Sequence, residues 1–245
     1  MTSQALIGKA VLVTGGARRI GREIALELAA AGSDVAITYR NSKAEAEETL
    51  ELIHQLGRLA IAIECDVRSE QSVRSAIAAS INFHGHLDVL VNNAAIFESA
   101  ALEQLSLEQW DAVFETNTRG PFLVAREALP HLRTSRGRII NIGSLGGLRP
   151  WADHAHYCAS KAALHMLTKA MAKAFAPDIA VNCVAPGWID MDEARAHAAG
   201  QRFAAKTPMQ RNGTAKDVAQ AVAFFAGTSN FITGQVLAVD GGLGL

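Results

Sequence analysis

The sequence predicts an α/β protein built on one doubly wound parallel sheet of about seven strands, with helices on both faces. Three observations predict it. Short runs rich in Val, Ile and Leu alternate with longer stretches of helical periodicity, as βα units around a parallel sheet do. A glycine turn joins the first apolar run directly to the first helical stretch. No Pro-rich linker, internal repeat or low-complexity tract divides the chain.

The first strand is expected at Ala10 to Val13, and the helical period begins after the turn, over Ile20 to Ala31. Val35 to Thr38 gives the second strand, and Lys43 to Leu56 its helix. Leu59 to Ile63 and Glu70 to Phe83 make the third pair. Val89 to Val91 is the fourth strand, followed by a long helical stretch around Trp110 to Leu132. Arg138 to Ile142 precedes a helix over Tyr157 to Phe175, and Ala180 to Val184 is the sixth strand. A helix over Ala215 to Ala226 leads to the last strand, Val236 to Val239. Only Asp190 to Arg211 breaks the alternation. It is more polar and richer in small residues, and reads as an inserted lid or substrate loop at the ligand end of the strands.

Composition excludes several functions. With 245 residues, 49% hydrophobic and 19% charged, at a formal net charge of -1, the chain is neither disordered nor a polyelectrolyte, and nucleic acid is not an expected partner. At roughly 150 residues per domain the length allows one or two, but an α/β sheet often fills about 200 to 250 residues. Without a boundary, residues 1–245 read as a single dinucleotide-binding domain whose own loops make the substrate pocket. Cys65, Cys158 and Cys183 form no CxxC pair, which gives neither a disulfide framework nor a zinc site and fits a reducing cytoplasm. The N-terminus has no targeting pattern, and no run of about 18 apolar residues would span a membrane.

The turn reads Thr14-Gly15-Gly16-Ala17-Arg18-Arg19-Ile20-Gly21. Glycines between a strand and a helix let backbone N–H groups approach a pyrophosphate at the positive helix end, so Gly15, Arg18, Arg19, Ile20 and Gly21 are candidate cofactor residues. A protein selecting NAD would carry Asp or Glu at the end of the second strand for the ribose 2′-hydroxyl. Here Tyr39, Arg40, Asn41 and Ser42 follow instead. The nearest acid, Asp34, opens the strand, and five residues at about 3.3 Å each leave it some 16 Å away. Arg18 and Arg40 are placed to meet a 2′-phosphate with paired hydrogen bonds, aided by Asn41 and Ser42, so NADP(H) is the expected cofactor. Two alternatives stand beside this: a turn that only reverses the chain, and arginines that are solvated surface charges.

Tyr157-Cys158-Ala159-Ser160-Lys161 places a phenol and an ammonium four residues apart, on one helical face. A nearby cation favours phenolate and should lower the tyrosine pKa toward the working pH of a general acid/base. Ser144, at the carboxyl end of the fifth strand, is placed to donate to a carbonyl oxygen that gains charge in the transition state. Asn117 is a polar residue inside an otherwise apolar helical stretch. For Ser144 or Asn117 alone, a local cap or turn is the competing reading.

Together these residues resemble the short-chain dehydrogenase/reductase family over essentially the whole length. The matching motifs are Thr14-Gly15 with Gly21, Asp66-Val67, Asn92-Asn93-Ala94, Asn117, Ser144, Tyr157 with Lys161, Pro186-Gly187 and Asp240-Gly241-Gly242. The resemblance implies a Rossmann domain in which Tyr157 is the proton donor and Lys161 lowers its pKa and holds the nicotinamide ribose. Ser144 would polarise the substrate carbonyl, and Asn117 would support a water-mediated proton path behind Lys161. It further implies that Asp66 and Val67 contact adenine, that Asn93 and Ala94 line the cofactor groove, and that Pro186, Gly187 and Ile189 lead to the nicotinamide amide. A homotetramer with two-fold axes is implied too; the small residues of Tyr157 to Phe175 and the apolar Leu243-Gly244-Leu245 agree with some homo-oligomer.

The chain departs from the common family pattern in places. Arg19 replaces the usual middle glycine, and this Thr-Gly-x-x-x-Arg-x-Gly turn is similar to the pteridine reductases, as are Thr38-Tyr39-Arg40-Asn41-Ser42 and Phe97. In those enzymes the matching aromatic stacks on the pterin ring. Against this, Ala95 stands where they usually have serine, and Ser144 where many have aspartate, which is similar to ordinary carbonyl reductases such as the 3-oxoacyl carrier-protein reductases. Met191 stands near a position where the family often has threonine. His154 and His156 are too few for a metal site and read as pocket rim or loop. Three functions remain: an NADP(H)-dependent carbonyl reductase or alcohol dehydrogenase, a pteridine-type reductase acting on a ring C=N, and a non-catalytic NADP-binding sensor.

Overall fold

A computed structural model describes residues 6–190 and 203–245. Seven strands form one sheet, all parallel: β1 (Ala10–Val13), β2 (Asp34–Tyr39), β3 (Ala60–Glu64), β4 (Val89–Asn92), β5 (Arg138–Ile142), β6 (Ala180–Pro186) and, at the edge, β9 (Val236–Val239). Their order is β3-β2-β1-β4-β5-β6-β9, so the winding reverses between β1 and β4. A doubly wound sheet binds its ligand at such a switch point, beyond the carboxyl ends of the strands. The turn after β1 and the Asn93-Ala94 segment after β4 both open there.

Successive residues of a strand face opposite sides, and here both sides are covered. Val11 and Val13 pack with Val35, Ile37, Val89, Val91, Ile24 and Leu28 under α1 (Arg19–Ala30) and α7 (Ala215–Gly227). Leu12, Leu90 and Ile139 pack on the other face with Val73, Ile77, Val124, Leu132 and Met171, under α3 (Glu70–His84), α5 (Gly120–Ser135) and α6 (Ala155–Phe175). α2 (Lys43–Gln55) adds Ala46 and Ile53 to the first layer. Side chains cap several helix starts: Ser69 accepts from the Ser72 amide, and Thr214 and Asp217 form a capping box.

The long stretch expected around Trp110 to Leu132 is not one helix. It begins earlier, as α4 (Leu107–Phe114), passes through one π-helical turn at Glu115–Arg119, and continues as α5. Such turns are frequent at functional sites, and this one carries Asn117. Two short strands also went unread, β7 (Ile189–Asp190) and β8 (Gly213–Thr214), which pair and close the base of the expected lid. Residues 203–206 are helical, and 191–202, including Met191, lie outside the described residues.

Arg19, in the turn, sits at φ +54°, the left-handed region that costs a non-glycine residue about 1 kcal/mol. Arg19→Gly is therefore expected to raise unfolding free energy by about 0.5 kcal/mol in urea titrations, after glycine's own entropic cost, and to weaken cofactor binding. Loss of stability instead would mean that the side chain anchors the turn.

Candidate active site

Thr14 ties the two sides of the switch point together. Its hydroxyl accepts from the amides of Asn93 and Ala94 at 3.0 and 3.1 Å, while Asn93 Nδ2 donates to the carbonyls of Thr14 and Gly15 at 2.9 and 3.0 Å. The Gly15 amide donates to Thr38 Oγ1 at 3.2 Å. Little room remains for side chains. A Cβ at Gly21 would lie 2.1 Å from the Gly15 carbonyl oxygen, and one at Gly15, whose φ is +63°, 3.0 Å from the Ala94 Cα. The turn's glycines thus permit a backbone cradle at the N-terminus of α1, where the helix dipole favours anionic groups.

The arginines near this cradle divide into two kinds. Arg22 is structural: it donates to Thr49 Oγ1, the carbonyls of Ala17 and Glu45, and Glu48. Arg18 and Arg40 are exposed beside the cavity; Arg18 approaches Glu45 only at 3.9 Å, and no ion pair involves Arg19 or Arg40 among the described residues. Asp34 is out of reach, at the far end of β2, where it accepts from the Leu59 amide at 2.9 Å. Asp66 is engaged by the Arg68 guanidinium, whose hydrogen bonds hold its carboxyl below the usual range.

At the other end of the crevice stand Ser144, Tyr157 and Lys161. Ser144 Oγ accepts from the Gly146 amide at 3.0 Å, which uses a lone pair and leaves its hydroxyl proton for the Tyr157 side of the cavity. Lys161 Nζ donates to the Ile142 carbonyl at 2.7 Å and lies 5.8 Å from the centre of the Tyr157 ring. The expected lowering of the Tyr157 pKa is reversed: burial pushes it up to about 12, with the Ser144 hydroxyl acting weakly the other way. Burial also brings Lys161 down, to about 8, so it still carries its charge at neutral pH.

A lysine brought from 10.5 to about 8 destabilises the fold while protonated, by on the order of 3 kcal/mol. Below about 8 both folded and unfolded chains hold the proton, and the cost is full. Between about 8 and 10.5 only the unfolded chain holds it, so stability rises with pH in that window. The unfolding free energy of the wild type, measured against Lys161→Met, is expected to climb from pH 7.5 to 10; a constant difference would refute the shift.

Asn117 is fully buried, and both ends of its amide are held. Oδ1 accepts from the Ile96 amide at 2.9 Å, and Nδ2 donates to the Ile96 carbonyl at 3.0 Å and to Ser160 Oγ at 3.2 Å. The geometry therefore gives it a direct grip on the wall beside Lys161.

The comparisons with known proteins agree with one another. A family model described as enoyl-(acyl carrier protein) reductase matches residues 15–244. The chain belongs to the short-chain dehydrogenase/reductase family. It is 40% identical over 240 residues to a 3-oxoacyl-(acyl-carrier-protein) reductase, FabG, of Staphylococcus aureus, covering 96% of this chain and 98% of that one. Among solved structures it is similar to a short chain dehydrogenase from Burkholderia cenocepacia in complex with NADP, at TM-score 0.93 and 41% identity, covering 99% of this chain and 100% of that one. A blue fluorescent protein from a metagenomic library, in complex with NADPH, matches at TM-score 0.91 and 38% identity, over 98% and 99% of the two chains.

In this short-chain dehydrogenase/reductase one cavity of about 710 Å³ runs from the turn to the Tyr157 end. It is lined by Gly15, Arg18, Arg19, Ile20 and Gly21, by Arg40, Asn41 and Ser42, and by Val67, Asn93 and Ala94. Ser144, Tyr157, Lys161, Pro186, Gly187 and Ile189 complete the residues read from sequence. Asp66 and Asn117 are not part of the lining; Asn117 is buried behind it, and Asp66 is partly exposed beside Arg68. Sequence reasoning missed Thr38, Trp151 and Trp188, which also line it. Trp188 follows Pro186-Gly187 directly, which was a usable signal, and stacks on Phe203 at 4.3 Å. Phe97 is 54% exposed, stacks on His154 at 4.6 Å, and meets the Tyr157 ring edge-on at 4.8 Å. His154 therefore packs behind a lining residue, whereas His156 is fully buried with neither ring nitrogen hydrogen-bonded. Among the described residues no group of three or more His, Cys, Asp or Glu gathers, and no helix is long and apolar enough to cross a membrane.

Proposed function

We propose that this chain is an NADP(H)-dependent oxidoreductase that interconverts a carbonyl and an alcohol, with 3-oxoacyl thioesters as its substrate class. The observation that carries the reading is one cavity with exposed guanidinium groups at one end and the Ser144, Tyr157 and Lys161 set at the other. The volume lies within the usual range for small-molecule sites, about 300–1,000 Å³, and the glycine cradle fits a pyrophosphate. Arg18 and Arg40 suit a 2′-phosphate, and no acid stands at the end of β2 to claim a 2′-hydroxyl. The FabG relative's name supports the substrate class.

NADPH, when bound, supplies the hydride that adds to the carbonyl carbon. This chain's residues do the rest. Ser144 keeps its proton and hydrogen-bonds through its hydroxyl to the carbonyl oxygen, which stabilises charge as it develops there. Tyr157, kept protonated by burial, gives its phenolic proton to that oxygen, so that the C=O bond becomes C–H and O–H. Lys161, held by Ile142, presents a cation beside the phenol that forms phenolate in this step. Asn117 fixes the Ile96 wall and Ser160 next to it; a water-mediated path for resupplying the proton belongs to this reading. Phe97, Trp151 and Trp188 form apolar walls around the acyl group.

The three free cysteines support a reducing cytoplasm as the site of action. An exposed Phe231, at 98%, and the exposed Leu237 on β9 support a homo-oligomer covering that edge, with a tetramer the assembly proposed. The test is a substrate panel followed by NADPH absorbance: an acetoacetyl thioester, simple ketones, diketones and dihydrobiopterin. Turnover of the thioester or ketones is the expected result; turnover of the pterin alone would overturn the carbonyl assignment in favour of a ring C=N, and no turnover of any would leave a binding protein.

A further inference from the structure

Among the buried titratable side chains that the mechanism leaves unused, one lies against the catalytic serine. His165 is 5% exposed, one turn beyond Lys161 on the inward face of α6. Its ring occupies a slot made by two glycines that flank Ser144. A Cβ at Gly143 would lie 2.3 Å from His165 Nε2, and one at Gly147 would lie 2.6 Å from Cε1. Within that slot Nε2 accepts from the Ser144 backbone amide at 3.4 Å, at the long end of the hydrogen-bond range. Nδ1 is buried without a hydrogen-bond partner.

This contact is one of three along α6. At helix spacings of four and then three, Lys161 Nζ donates to the Ile142 carbonyl at 2.7 Å, His165 accepts from Ser144, and Thr168 Oγ1 accepts from Asn141 Nδ2 at 2.9 Å. The helix therefore grips the carboxyl end of β5 and the second residue beyond it. A leucine would fill the same space without burying a polar ring. What histidine alone adds at this point is an acceptor aimed at the peptide that carries the Ser144 hydroxyl.

We propose that His165 is a positioning residue for Ser144: its imidazole, seated between Gly143 and Gly147, holds the Ser144 peptide so that the hydroxyl is set for the substrate carbonyl. This rests on the carbonyl-reductase reading above. Only the neutral ring can accept. Burial first, and the charges of Lys161 and Lys169 next, hold its pKa down to about 4, so the acceptor persists through the neutral range. A side chain at either glycine would displace the ring, and at Gly147 it would also meet the backbone of Lys161 and Ala162 at 2.8 and 2.9 Å.

The test uses two replacements of similar shape, His165→Gln, which retains an acceptor, and His165→Met, which does not. For the thioester, His165→Gln is expected to keep kcat within about threefold, while His165→Met loses at least tenfold in kcat with KM and NADPH affinity little changed. In a Ser144→Ala background the Gln-to-Met exchange should cost nothing further. Additive losses in that cycle, or equal kcat for the two folded variants, would overturn the proposal. If His165→Met does not fold, His165→Gln decides alone: a tenfold loss of kcat with normal melting and NADPH binding refutes the role. Should the wild type reduce no carbonyl, the functional reading falls separately, and hydrogen exchange still decides the positioning. The segment 142–146 must then keep its protection in His165→Gln and lose it in His165→Met or, if that variant is unfolded, in His165→Ala; equal protection refutes it.

Discussion

Tyr157→Phe is expected to lower kcat by about 10³-fold, within the range of about 10²–10⁴ supplied by a positioned general acid, while NADPH binding changes by less than about threefold. The ring would keep its contacts with Phe97 and Trp151, since only the hydroxyl is removed. Burial raises the Tyr157 pKa to about 12, so at neutral pH the group is a proton donor, as carbonyl reduction requires. In the reverse direction the same shift is a handicap, and alcohol oxidation should need higher pH. Stopped-flow turnover with each carbonyl substrate checks this; unchanged rates with every substrate would show that the proton comes from elsewhere.

Arg40→Asp is expected to raise the NADPH dissociation constant about 100-fold while NADH binding changes by less than about threefold. The loss combines a charge-assisted hydrogen bond to phosphate, about 1.5–3 kcal/mol, with new repulsion, and about 2.7 kcal/mol corresponds to 100-fold. Arg40 has no ion pair among the described residues, so its removal disturbs little else. Fluorescence titration of the two nucleotides separates the cases. Equal losses for NADPH and NADH would remove Arg40 from the phosphate site and return it to the solvated surface.

Much of this fold was legible because its strands are buried on both faces. Ala10 to Val13 and Arg138 to Ile142 were read to the residue, since continuous branched apolar runs leave few alternatives. β2 and β6 proved longer than expected at their ends, where Asp34 and Pro186 do not look like strand residues yet pair in register. The π-helical turn at Glu115–Arg119 could not be seen, because five residues are too few to reveal a change of period. β7 and β8 are shorter still, and form only because residues 189 and 213 are brought together by the fold.

The site followed a similar division. That the turn glycines, Arg18, Arg40 and the Tyr157–Lys161 pair would face one cavity was readable, because their placement depends on local spacing along the chain. The direction of the Tyr157 shift was not, since it depends on how deeply the fold buries the phenol. Asp66 was expected at the adenine, and its carboxylate proved to be engaged by Arg68, two residues on. His165 was missed although it stands four residues after Lys161 on the same helical face; its partner, the Ser144 amide, is 21 residues away in sequence. Trp151 depends on a loop before α6 that carries no periodic signal.

The central claim is that hydride reaches a carbonyl carbon in the cavity where Ser144 and Tyr157 hold the oxygen. Its most direct test is to supply NADPH deuterated at both C4 positions with an acetoacetyl thioester, and to analyse the product by mass spectrometry and NMR. The account predicts one deuterium per molecule, at the carbinol carbon of a 3-hydroxyacyl thioester, with one NADPH consumed. Deuterium elsewhere in the product, or NADPH consumed with no label transferred, would contradict it.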